Sequence, residues 1–157
     1  MTQMTEVIIH AARLGNIDVL QELIRQKVDL DSRDTKGHTP LIIACYNNQL
    51  DAAKLLLESG ANVDAQDNGG NTALMGVAFK GYKDIAEILI QHGANLNLQH
   101  GNGGTALMFA AMFGRNDVLK LLRDKGADPT LLDVRGLSVC DLAAQQGNEG
   151  AMAILAN

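Results

Sequence analysis

DTKGHTPL at residues 34–41, DNGGNTAL at 67–74 and HGNGGTAL at 100–107 are variants of one phrase. Thr39, Thr72, Thr105 and Ser138 stand 33 residues apart, as do Gly37, Gly70, Gly103 and Gly136, and as do Leu41, Leu74 and Leu107. A constant period carried through most of a 157-residue chain means that one small unit is copied and stacked. No such unit can bury its apolar face alone, so neighbouring copies bury it together. The product is an extended surface that works by grip rather than by reactive groups.

Residues 34–66, DTKGHTPLIIACYNNQLDAAKLLLESGANVDAQ, serve as the pattern copy. Its polar, Gly-containing start reads as a turn. Thr39-Pro40 then opens a helix: the hydroxyl caps free backbone N–H groups, and Pro40 sits where its missing N–H costs nothing. Leu41, Ala44 and Cys45 follow at helical spacing. The first helix of each copy is expected to end at Asn48, Gly81, Gly114 and Gly147, residue types that tolerate a left-handed backbone. A second helix follows, with Asp18, Asp51, Asp84 and Asp117 in its first turn. Those carboxylates offset the positive helix end, a simpler reading than a metal or catalytic cluster. Gly60-Ala61, Gly93-Ala94 and Gly126-Ala127 close that helix. The first copy has Lys27-Val28 there instead. A left-handed Lys costs roughly 1–2 kcal/mol, so this helix end is expected to bend differently.

The pattern resembles the ankyrin repeat, whose units read D-x-x-G-x-T-P-L, then an apolar helix, then L-L-x-x-G-A-D/N. RGLSV at 135–139 is a weaker fourth match, and the resemblance spans about residues 5–157. It implies an all-α solenoid in a single domain, 1–157, with hairpin fingers. Its five helix-pair repeats fall near 5–33, 34–66, 67–99, 100–132 and 133–157, the first and last acting as caps. The resemblance also implies that partners dock on the finger tips and on the exposed sides of the first helices. In this register the partner-binding positions are Arg13, Lys36, His38, Tyr46, Asn47, Asn71, Phe79, Lys80, Met112, Phe113, Arg135 and Gln145. The chain has only two Tyr, three Phe and no Trp. Three of these five rings, Tyr46, Phe79 and Phe113, fall at solvent-facing positions beside Met112. Clustered exposed aromatics mark contact sites, and Lys36, Lys80, Arg115 and Arg135 would form a charged rim. The competing reading is that the rings lean sideways and fill gaps between copies.

The remaining composition excludes several classes. Net charge is −5 with no run of Lys or Arg, so no nucleic-acid or anionic-membrane footprint is present. No stretch approaches the ~18 consecutive apolar residues of a membrane span. Residues 1–10 lack the basic start and apolar run of a secretory leader, so a cytoplasmic location is expected unless a leader has been removed. Cys45 and Cys140 read as two small buried thiols. No His pairs at i, i+4 with a second His or Cys, so no metal site is expected. His10 aligns with Ile43 and Phe109 and is expected to face inward. Gly101-Asn102-Gly103-Gly104 lacks the Lys-Ser/Thr ending of a phosphate loop. Neither a cofactor nor an enzymatic activity is expected. The expected function is a monomeric protein–protein interaction module that acts as adaptor, scaffold or regulator. By resemblance to small stand-alone bacterial ankyrin proteins, the alternatives are a dedicated inhibitor or immunity protein for one toxin or enzyme, or a protein associated with peroxide defence.

Overall fold

The computed structural model describes residues 2–157, in which ten helices occur and no strand. They are α1 (Gln3–Leu14), α2 (Ile17–Arg25), α3 (Pro40–Tyr46), α4 (Leu50–Glu58), α5 (Ala73–Lys80), α6 (Lys83–Gln91), α7 (Ala106–Met112), α8 (Asn116–Asp124), α9 (Val139–Gln145) and α10 (Glu149–Ala156). Odd-numbered helices stack on one another as an inner row, even-numbered helices form an outer row, and each odd helix packs on the even helix that follows it. The result is an all-α solenoid of five helix pairs.

Local chemistry accounts for the boundaries of the inner helices; the outer helices α4, α6 and α8 start without a side-chain cap. The hydroxyls of Thr39, Thr72, Thr105 and Ser138 each accept the backbone N–H three residues on, at 3.2 Å. The three threonines are buried, so this bond also satisfies a polar group that would otherwise be costly. Leu41, Leu74 and Leu107 are buried in the common core. Asn48, Gly81, Gly114 and Gly147 all take positive φ, as the sequence predicts.

Each finger is a tight turn before an inner helix. In the first, Asp34 N–H donates to the His38 carbonyl at 3.0 Å, and the Asp34 side chain accepts the N–H groups of Lys36 and His38 at 2.9 Å. Asp67 and Asp133 repeat this arrangement. Fingers are joined through the backbone: Asn68 donates to the Lys36 carbonyl at 3.0 Å, Gly101 to Gly69 at 2.9 Å and Val134 to Asn102 at 2.9 Å. Below them runs a side-chain ladder. Asp31 accepts the N–H of Asn62, Asp64 that of Asn95, and Asn97 that of Asp128, at 2.8–2.9 Å.

Three sequence expectations are corrected. Lys27 is left-handed after all, with φ 60°, and ends α2 as Gly60 ends α4. Val28 N–H bonds the Leu23 carbonyl just as Ala61 N–H bonds Leu56, so the shared closing geometry prevails over the side chain's preference. His10 is exposed rather than inward-facing. Its equivalent Phe109 is shielded by a finger residue, the His100 ring at 5.1 Å, whereas residues 3–5, which align with finger residues 36–38, belong to α1. Cys140 is exposed, not buried. It takes the position of Leu41, Leu74 and Leu107, which are buried in the earlier copies, and no described copy follows the last pair. Cys45 is buried as expected, and burial pushes its thiol far above the usual range.

Candidate partner-binding face

The inner helices point their small residues inward. Ala44, Cys45, Val77, Ala78, Ala110 and Ala111 are fully buried, and the residues that follow them turn toward solvent. Tyr46, Phe79 and Met112 are equivalent positions, as are Asn47, Lys80 and Phe113. Tyr46 is 41% exposed and Phe113 44%, with Phe79 and Met112 half-buried between them. The rings touch across copy boundaries. Tyr46 and Phe79 stack with centroids 6.2 Å apart, and Phe79 meets Phe113 edge-on at 4.6 Å. Lys80 Nζ lies 4.7 Å from the Tyr46 ring centroid. Both sequence readings thus describe part of the geometry: the rings bridge neighbouring copies, yet they leave a continuous apolar row open to solvent.

Between this row and the fingers lie two hollows of about 380 Å³ each. The first has Ile43, Met75 and Gly76 beneath it, Tyr46 and Phe79 on one side, and His38, Asp67 and Asn71 on the other. Gly76 creates it. Ile43 and Phe109 hold the equivalent places in neighbouring copies, and a Cβ at Gly76 would approach Tyr46 Cδ1 to 3.3 Å. The second hollow lies among Met108, Met112, Val134 and Leu142. Phe109 borders both. The sequence carries a signal for this hollow, a glycine in the otherwise bulky column of His10, Ile43, Phe109 and Leu142.

Of the other expected site residues, Arg13, Lys36, Asn47, Arg135 and Gln145 are exposed, and His38 and Asn71 are half-buried. Four of them also bond within the fold. His38 sits between two fingers, Nδ1 3.3 Å from Asp34 and Nε2 3.4 Å from Asp67. Asn71 donates to Asp67 at 3.2 Å, Asn47 to the Ile43 carbonyl at 2.7 Å, and Arg135 pairs with Asp133 at 3.1 Å. Arg115, expected on the rim, donates its Nε to the Phe79 carbonyl at 3.0 Å and so ties two copies together. Partial burial pushes the Asp34 carboxyl upward. The opposing hydrogen bonds from the His38 and Lys36 N–H groups, together with the His38 ring, hold it below its usual range. Among the described residues, no three His, Cys, Asp or Glu side chains converge as metal ligands would. No described helix is long and apolar enough to cross a membrane.

Paired short helices in a single stack, joined finger to finger, define a helical repeat solenoid. A family profile described as ankyrin repeats (3 copies) matches residues 8–100 and 61–133. The chain belongs to the ankyrin repeat family. Members of this family generally serve as protein–protein interaction modules. No curated protein matches the chain.

Proposed function

We propose that this chain binds another protein through the face formed by the inner-helix ends and the fingers. The carrying observation is the open row of Tyr46, Phe79 and Phe113, with Met112 beside it, on a molecule otherwise very poor in aromatics. Such side chains supply the hot spots of protein interfaces, and a preformed face loses little ordering entropy on binding. Arg13, Lys36 and Lys80 contribute charge around the row, and Gln145 extends it toward the last copy. His38, Asn71 and Arg135 act indirectly by fixing the shape of the fingers.

The test is to replace Phe79 and Phe113 with Ser and to measure both melting and binding to a partner recovered from native cells. Lost binding with a melting temperature within a few degrees supports the face. A large fall in melting temperature with retained binding assigns the rings to packing between copies.

A further inference from the structure

We infer that the occupant of this face is an acidic, linear peptide segment that places one apolar side chain in each hollow. The inference rests on the binding reading above and goes further by assigning the partner's chemistry. Its first support is charge accounting. The protein is acidic overall, yet the carboxylates beside the hollows are already engaged. Asp34, Asp67 and Asp133 each accept two finger N–H groups, and they also face His38 or Arg135. Arg13, Lys36 and Lys80, by contrast, have no carboxylate within 4.0 Å among the described residues. Beside the first hollow a partner thus meets two cations with no ion-pair partner among the described residues, Lys36 and Lys80, while Asp34 and Asp67 are already held by finger N–H groups and the His38 ring. This favours Asp and Glu over Lys and Arg there, whereas Arg13 shares its groove at the first copy with the exposed Glu6.

The second support is shape. Two hollows of equal volume, divided by the single Phe109 ring, suit two anchors on one chain better than one compact ligand. Lys36 and Lys80 lie outside the lining of the first hollow but next to residues that form it: Lys36 is two residues from His38 in the same finger, and Lys80 sits against the Tyr46 ring. The acidic residues of the segment therefore lie over the second and third copies. The more apolar end lies over Met112 and Leu142.

The experiment pans a random peptide library displayed on phage against the intact chain, then measures labelled winners by fluorescence polarisation. The expected winners carry two large apolar residues and an excess of Asp and Glu, and their affinity falls as salt rises. Lys36→Glu combined with Lys80→Glu should weaken them by about tenfold or more. The control pair Lys54→Glu and Lys125→Glu, on the outer row, should leave affinity within about twofold. Gly76→Leu, which fills the first hollow, should abolish binding while the chain still melts cooperatively. Neutral or basic winners, equal loss in both reversal pairs, or the absence of any winner overturns the inference. Winners indifferent to Phe79→Ser and Gly76→Leu would instead locate binding elsewhere and overturn the underlying face.

Discussion

Lys27 shows how a residue's preference yields to its surroundings. Its positive φ is imposed by the same closing hydrogen bonds that glycine satisfies without strain in the later copies. Lys27→Gly should therefore stabilise the chain by about 1 kcal/mol, read from the urea midpoint. The sequence showed the anomaly, but it could not show whether backbone or side chain would give way. His100 is a similar case. It stands where other fingers have Asp34, Asp67 and Asp133, and its Nδ1 accepts the Gly104 N–H at 2.8 Å. A histidine in an aspartate column is visible in the sequence, whereas its rotation onto an N–H and against Phe109 is not. Asp34 sets a pH dependence. Its carboxyl titrates lower in the folded chain than in the unfolded one, so its contribution is present above the unfolded value and is lost as pH falls below it. Urea midpoints at pH of about 7 and about 3.5 should show Asp34→Asn less stable than the parent at the first and closer to it at the second.

At the scale of elements, α4, α6 and α8 start without a side-chain cap, whereas the starts of the inner helices were legible, because capping by Thr39, Thr72, Thr105 and Ser138 is local chemistry. Thr72 illustrates this: Thr72→Ala should cost about 1 kcal/mol, since the Met75 N–H would lose its acceptor in a buried place. Misreadings arose where a position depends on a second element. His10 aligns with Phe109, but the residues that align with the shielding finger, 3–5, are helical in the first copy. Gly76, inside α5, is a place where helix stability and the binding hollow compete. A mid-helix glycine costs roughly 1 kcal/mol relative to alanine, and the added methyl needs only a slight shift of Tyr46. Gly76→Ala should therefore raise the melting temperature while narrowing the hollow. The aromatic row was legible as a set of positions. The contacts between its rings were not, because side-chain lean across a copy boundary follows from packing.

At the scale of the molecule, the first and last of the described pairs each pack on one described neighbour. Hydrogen exchange should be slowest in α3 to α8 and fastest in α1 and α10. Uniform protection along the array would contradict that expectation. The open end also separates the two thiols. A thiol reagent should label Cys140 in the native chain and reach Cys45 only after unfolding. The backbone bonds between fingers and the Asp31, Asp64 and Asn97 ladder connect each copy only to the next. No bond described spans the length of the stack. Pulled from its two ends, such a molecule should behave as a chain of linked springs and yield one link at a time. Each break would release roughly 110–120 Å of contour, the extended length of one copy, and the force trace would be a sawtooth rather than a single rupture.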